Sequence, residues 1–198
     1  PTPVKADALD QWLQGYNQNL HRYLVQGFRE GFSVGYKGSL SHVEPPNLVS
    51  AIQHAEIVDE KIQKELQSQR IAGPFSSIPL PNFRVSPIGL VEKKVPGKFR
   101  LIHHLSHPLG ESINDGISTE EAHVQYQTVD NAIQLIRQLG QGCFLAKTDI
   151  QDAFRIIPLH PSEYHLFGFR WRQAYHYDKC LPMGCRSSCK IFETLSEA

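Results

Sequence analysis

The sequence lacks an excess of charge of either sign, because 20 lysine and arginine residues balance 20 aspartate and glutamate residues over 198 positions. Binding of nucleic acid by bulk electrostatics scales with the number of phosphates that are neutralised. The balance therefore argues against a protein that binds nucleic acid through overall charge alone. The sequence also shows no apolar run long enough to cross a membrane and no N-terminal signal peptide, so we expect no membrane partner.

Cysteine is scarce as well. The four cysteines form no Cys-x-x-Cys pair and do not reach the density of a disulfide scaffold, so we expect a reducing, intracellular location, either the cytoplasm or the nucleus. Zinc binding stays open as an alternative, although the spacing matches no common ligand pattern. The candidate zinc ligands are Cys180, Cys185, Cys189, His103, His104 and His107.

What the sequence does contain is enough apolar material for a folded core. A hydrophobic content of 40% over 198 residues permits one domain, or one and a half. Residues 1–70 are expected to form an N-terminal helical extension. Apolar positions spaced by three and four predict a helix over residues 9–28, ended by the glycine-rich stretch 27–38, and another over residues 48–69, stopped by Gly73-Pro74.

Residues 71–140 form a second region with short extended runs. A hairpin is predicted over residues 86–105, where Pro96-Gly97 supplies the dihedral angles of a tight turn. A polar loop is expected over 106–126, followed by a helix that Asp130 caps and Gly140 ends. The hairpin has a basic tip, which contains Lys93, Lys94, Lys98 and Arg100.

Residues 141–198 form the third region. Phe144 begins an apolar run that predicts a strand ending at Asp149, and a short helical stretch follows to Phe154. Two extended runs, over 164–171 and 174–181, precede a final helix after Gly184. This order predicts an α+β fold, with helices packed on one face of a mainly antiparallel sheet.

Asp149 combines the chemistry and the predicted position of a metal ligand. Divalent cations in phosphoryl transfer take hard oxygen ligands, and Asp149 stands at the exposed end of a predicted strand. The free N–H groups of Asp152 and Ala153, at the start of a helix, would form an anion site. Phe154 would then exclude a 2′-hydroxyl group by its bulk. The alternatives are a helix cap at Asp149 and an ordinary core residue at Phe154.

A second motif is the run Leu181-Pro-Met-Gly184. Gly184 would let the backbone approach a nucleotide closely, and Met183 would offer an apolar face to the base or sugar. Arg100, with Lys93 or Lys94, would bind phosphates from the hairpin. A plain turn and an unliganded surface hairpin are the competing interpretations.

Taken together, these motifs resemble the fingers and palm of reverse transcriptases. The resemblance rests on Lys98-Phe-Arg-Leu-Ile102, on Lys147-Thr-Asp-Ile-Gln-Asp-Ala-Phe154 with Ile157-Pro-Leu-His160, and on Leu181-Pro-Met-Gly184, in this order. Residues 71–75, 97–106, 114–116 and 178–185 are particularly similar to the tyrosine-recombinase retrotransposons of the DIRS and Ngaro type. The resemblance implies a fingers-like region over 71–140 and a partial palm over 141–198.

The resemblance also implies a function and a set of roles. An RNA-directed DNA polymerase would use deoxynucleoside triphosphates, a template-primer of RNA or DNA, and two Mg²⁺ ions. Asp149 would be the first catalytic metal ligand, and the carbonyl of Ile150 would bind the second metal. Asp152 and Ala153 would hold the triphosphate through the main chain, with Phe154 as the sugar gate. Phosphate contacts would come from Arg100, Lys93 or Lys94, and sugar or base contacts from Met183 and Gly184, although Met183 replaces a glutamine of many retroviral relatives.

The Tyr-x-Asp-Asp motif of that family, which supplies the other metal carboxylates, is expected in polypeptide C-terminal to Ala198. We therefore expect this chain to be inactive alone, and poorly soluble because apolar sheet edges would be exposed. The alternative is a non-catalytic remnant of a decayed element that binds nucleic acid or another protein.

Overall fold

A computed structural model describes residues 2–39 and 43–198, so the expected extension 1–70 includes four residues outside the described ones. Two N-terminal helices, α1 (Ala6–Trp12) and α2 (Gln18–Glu30), replace the single helix predicted over 9–28. Gly15, with a φ of 84°, lies in the break between them. The side chain of Asn17 accepts hydrogen bonds from the first backbone N–H groups of α2 and so starts that helix.

The second predicted helix is also divided, into α3 (Val49–Gln53) and α4 (Ala55–Gln67). The prediction that Gly73-Pro74 stops it was wrong, because both residues lie inside strand β1 (Ile71–Phe75). Gln69, with a φ of 56°, lies in the turn between α4 and β1. The buried residues Val58 and Ile62 hold α4 against the sheet region.

Two antiparallel sheets follow. Strands β2 (Ile88–Glu92) and β3 (Phe99–His103) form the predicted hairpin, with Leu90 opposite Leu101. Strands β4 (Gly168–Trp171) and β5 (Ala174–Asp178) join β1 in a three-stranded sheet of order β1-β5-β4. The β4–β5 connection has positive φ at Arg172 and Gln173, as a two-residue hairpin turn requires.

The extended run predicted over 164–171 was wrong in its first half. Residues Pro161–Leu166 form a 3₁₀ helix, and the strand begins at Gly168. Pro161 is the first residue of this helix, and the ring of His160 accepts a hydrogen bond from the Ser162 N–H. These two features favour the start of the helix at this point. The run predicted over 174–181 is a strand only as far as Asp178.

The described residues form two apolar cores. One joins α1 and α2 to the C-terminal helix α6 (Ser188–Ser196), around Leu24, Phe32 and Phe167. The other joins α3 and α4 to the sheets, around Val58 and Ile88. Helices on antiparallel sheets confirm the predicted α+β class, whereas the division of the chain at residues 70 and 140 stays a prediction.

Helix α5 (Val129–Leu139) and the segment after it differ from the expectation. The cap of α5 is Thr128, in a reciprocal capping box with Asn131, and not Asp130, which lies in the first turn. Gly140 ends the helix as predicted, with a φ of 83°. The strand predicted from Phe144 to Asp149 is not formed, and no described strand pairs with these residues. A strand is stabilised by a hydrogen-bonding neighbour, so the apolar run alone was not sufficient.

Candidate functional site

A cleft of about 190 Å³ lies between α4, the β2–β3 hairpin, the end of β5 and a short 3₁₀ helix at Ala153–Ile156. Its apolar wall includes Ile88, Phe99 and Phe169. Its ionisable lining consists of Lys61, Lys64, Glu65, Lys93, Arg100, His103, Asp152, Arg155 and Asp178. The cleft thus combines an apolar surface with positive side chains and a set of acid–base pairs.

Four of the predicted nucleotide-binding residues line this cleft. They are Lys93 and Arg100 of the hairpin, Asp152 before the 3₁₀ helix, and Met183 after β5. Lys94 is exposed on the hairpin and lies outside the lining. The tertiary structure therefore brings these four residues together from three separate parts of the chain, and their roles in nucleotide binding stay predictions.

Other predicted residues are adjacent to the lining but do not belong to it. The ring of Phe154 is half-buried and meets the ring of Phe192 edge-to-face at 5.9 Å between centroids. Ala153 begins a 3₁₀ helix of four residues, where a short helical stretch was predicted up to Phe154. The main-chain anion site and the sugar gate stay predictions.

Gly184 allows a close backbone approach to the protein itself, and the approach to a nucleotide stays a prediction. An added Cβ would lie 2.8 Å from the carbonyl oxygen of His103, and φ at Gly184 is 108°. The side-chain amide of Asn114 donates to the Gly184 carbonyl at 2.8 Å, and the backbone N–H of Arg186 donates to Asn114 Oδ1 at 2.8 Å. These bonds hold the turn that presents Met183 to the cleft.

Asp149 and Ile150, the predicted metal-binding residues, lie on the exposed segment and do not line the cleft. Within residues 2–39 and 43–198, no group of three or more histidine, cysteine, aspartate and glutamate side chains could hold a metal ion. The described chain therefore does not fit a site for two magnesium ions by itself. The roles of Asp149 and Ile150 stay predictions.

A charged network beneath the cleft was not found by sequence reasoning. The guanidinium of Arg155 pairs with Asp178 at 2.7 Å and with Glu65 at 2.8 Å. Arg70 extends the network, because it binds Glu65 at 2.9 Å and Asp152 at 3.0 Å. Ion pairs between residues so distant in sequence produce no local sequence pattern, because each charged residue considered alone is typical of a solvent-exposed position.

Electrostatics agree with this pairing. Burial acts to raise the pKa of Asp178, but the charge of Arg155 and the hydrogen bond from His103 outweigh it, so this pKa lies below its usual range. Burial acts to lower the pKa of Arg155, but Asp178 and Glu65 outweigh it and raise this pKa. Both groups are therefore charged at neutral pH.

Two further cations were also missed. Lys61 and Lys64 lie three residues apart on α4 and line the cleft opposite the hairpin. Their spacing indicates that they share a helix face. The sequence could not show that this face points toward Lys93 and Arg100, because that depends on how α4 packs.

The cysteines do not combine into a metal site in the described chain, and none of the four forms a disulfide bond there. Cys180 and Cys185 are buried, and burial raises the pKa of both thiols. In the described part of the chain, no helix combines the length and the apolar character needed to cross a membrane.

No protein-family model matches the sequence, and no curated relative matches it. Solved structures that it resembles include foamy virus proteins. The foamy viral protease-reverse transcriptase in complex with double-stranded DNA is 14% identical with a TM-score of 0.55, and the match covers 97% of this chain and 36% of that one. The native prototype foamy virus protease-reverse transcriptase is 15% identical with a TM-score of 0.56, covering 99% and 27%.

A third neighbour is the foamy viral protease-reverse transcriptase in complex with an RNA/DNA hybrid, at 14% identity and a TM-score of 0.56, covering 98% of this chain and 26% of that one. The chain thus spans about a third of the length of these neighbours, or less. The likeness shows a reverse-transcriptase-like fold and confirms the predicted fold class.

Proposed function

We propose that this chain forms the nucleotide-binding part of an RNA-directed DNA polymerase, encoded by a retrotransposon of the DIRS or Ngaro type. The observation that carries the proposal is the convergence of Lys93, Arg100, Asp152 and Met183 on one cleft. Their convergence within a reverse-transcriptase-like fold supports a common ligand.

The chemistry of the cleft suits a deoxynucleoside triphosphate. Lys93 and Arg100 would bind phosphate oxygens, and Arg100 can do so through two parallel hydrogen bonds. Lys61 and Lys64 add positive charge on the opposite wall. Met183 and the neighbouring apolar wall would contact the sugar or base.

The magnesium ions require more carboxylates than the described residues provide. Such ions, when bound, would supply positive charge that stabilises the negative charge developing on the phosphates during transfer. Asp149 would supply one carboxylate and Ile150 a carbonyl oxygen, and the remaining ligands would come from the polyprotein C-terminal to Ala198. We therefore expect no primer extension by this chain alone.

The proposed macromolecular partner is a template-primer duplex. The neighbouring structures include complexes with double-stranded DNA and with an RNA/DNA hybrid. In this chain, Lys94 and Lys98 are exposed at the tip of the hairpin and could contact phosphates outside the cleft. Binding through such contacts should weaken steeply as salt concentration rises.

A titration with a fluorescent deoxyadenosine triphosphate tests the proposal. We expect Arg100→Ala to weaken binding by about tenfold or more, because a charge-assisted hydrogen bond is lost. Arg137→Ala is the matched control, since Arg137 is exposed on α5 away from the cleft. Equal affinity of the parent chain and Arg100→Ala would refute a nucleotide site here.

The second candidate is a non-catalytic nucleic-acid-binding remnant. It is favoured by the finding that the described residues contain no group of three or more histidine, cysteine, aspartate and glutamate side chains that could hold a metal ion. Such a protein would bind a template-primer duplex with a steep salt dependence but would not bind the nucleotide. Duplex and nucleotide titrations on the same preparation therefore separate the two functions.

A further inference from the structure

The two carboxylate oxygens of Asp178, the last residue of β5, contact side chains from two distant segments of the chain. One oxygen, Oδ1, lies 2.7 Å from Nη1 of Arg155. The other, Oδ2, lies 3.0 Å from Nδ1 of His103. Only 7% of the Asp178 side chain is exposed, so both interactions are shielded from water. A single buried carboxylate therefore connects the hairpin to the segment that begins at Asp152.

Each partner of Asp178 is itself held by other groups. The second ring nitrogen of His103, Nε2, lies 3.1 Å from the carbonyl oxygen of Gly168. Arg155 binds Glu65 of α4 at 2.8 Å and also donates to the Cys180 carbonyl at 3.2 Å. Because these groups have several fixed partners, neither can move far without breaking hydrogen bonds.

The partners also stand next to the candidate nucleotide contacts. His103 is three residues after Arg100 on β3, and Arg155 is three residues after Asp152. All four line the cleft, as Asp178 does. The distance between the hairpin wall, which carries Arg100, and the wall that carries Asp152 therefore depends on the contacts of the Asp178 side chain.

We propose that Asp178 is a positioning residue, which fixes the hairpin wall that carries Arg100 relative to the wall that carries Asp152. The effect on nucleotide affinity rests on the proposed function, whereas the coupling of the two walls does not. A buried ion pair contributes little net stability compared with apolar residues of similar size, but it can specify one arrangement. The use of both oxygens in different directions agrees with that role.

Amide hydrogen exchange on the full chain tests the coupling without any ligand. We expect Asp178→Asn to accelerate exchange by about tenfold or more in residues 99–103 and 152–156 together. Exchange in α2, which belongs to the other core, should stay unchanged. Acceleration of only one wall, or of neither, would overturn the proposal.

Asp59→Asn is a matched control. The Asp59 carboxylate also joins α4 to a hairpin, because it accepts hydrogen bonds from Trp171 and Arg172 at the β4–β5 turn. It does not line the cleft. Exchange in 99–103 and 152–156 should be the same in this variant as in the parent chain.

A second variant keeps the proposal testable if Asp178→Asn does not fold. The double variant Arg155→Met, Asp178→Leu removes the pair without leaving a lone buried charge. We expect it to fold, yet to show faster exchange in both walls and about tenfold weaker binding of the fluorescent deoxyadenosine triphosphate. Parent-like exchange in both walls would refute the positioning role. Absence of nucleotide binding by the parent chain would instead refute the proposed function, and the exchange result would still decide the coupling.

Discussion

The aspartates of the cleft network and of segment 129–150 lie in opposite environments. Asp178 is buried, and both of its oxygens have cationic or N–H partners. Asp149 is exposed on an irregular segment. An ionised carboxylate can be buried only when it is paired, so Asp178 requires Arg155 and His103 as partners, whereas the exposed Asp149 is solvated by water.

The apolar side chains of the two regions differ in the same way. Ile88 and Phe169 beside the cleft are 1% and 3% exposed. Helix α5 has no buried residue, and Phe144 after it is 99% exposed. Described parts of the chain therefore bury the apolar side chains beside the cleft. The apolar side chains of segment 129–150 are exposed, and no described residue covers them.

The largest expected effect is the contrast between the two aspartates. Asp178→Ala should destabilise the chain by about 3–5 kcal/mol, because Arg155 and His103 would both lose a buried acidic partner and only Glu65 would remain paired with Arg155. Asp149→Ala should change stability by less than about 0.5 kcal/mol, as expected for a surface position. Urea unfolding monitored by circular dichroism measures both. Equal destabilisation would show that the two environments do not differ as described.

Gly184 next to the cleft and Gly142 in segment 129–150 extend the comparison to the backbone, with a smaller expected effect on stability. Gly184→Ala should cost about 2 kcal/mol or more, because φ is 108° and the new Cβ would meet the His103 carbonyl. Gly142→Ala should cost only about 1 kcal/mol, since its φ is 88° but nothing lies within 4 Å of the new Cβ. The midpoints of thermal unfolding rank the two variants, and the reverse order would contradict the contact at Gly184.

Acidification should affect the cleft side of the molecule through His176 of β5. Burial lowers the pKa of His176, despite a hydrogen bond to the backbone at Ala174 that acts to raise it. The unfolded chain therefore binds a proton more readily, so stability is fully present above about pH 6.5 and is lost as pH falls below that value. Urea unfolding at pH 7.5 and 5.5 tests this, with His176→Phe as the variant that should lose the dependence in this range.

Asp178 adds a second loss at lower pH. Its folded-state pKa is depressed, so its contribution is present above the unfolded value of about 4 and declines as pH falls through the folded value. An acid titration of the double variant Arg155→Met, Asp178→Leu should lack this lower phase. A retained phase would assign the acid sensitivity to other carboxylates.

The smallest effect on stability is expected on α5. Leu135→Glu should change the free energy of unfolding by less than about 0.5 kcal/mol, because Leu135 is 57% exposed. Self-association should decrease, since a charge interrupts the apolar surface. Light scattering across a concentration series measures it, with Gln134→Glu as the control on the same helix. A parent chain that is already monodisperse would contradict the expected poor solubility.

Local chemistry explains which elements were predictable. Pro96-Gly97 determines the β2–β3 turn, and Gly140 ends α5, because these residues supply backbone angles that others avoid. The breaks at Gly15 and His54 and the 3₁₀ helix after His160 were missed, since weak local preferences decided them. The absent strand at Phe144–Asp149 shows the limit of apolar patterning, because strand formation depends on a partner.

The sequence by itself determined the α+β class, the basic hairpin and the motif residues Arg100, Asp152 and Met183, because each follows from side-chain chemistry and short-range spacing. Only the tertiary structure decided that these residues share one cleft, that Lys61 and Lys64 face them, and that Asp178 joins His103 to Arg155 beneath them. The physical reason is that an ion pair depends on distance in space, and the packing of α4 and the two sheets fixes distances that no local pattern encodes.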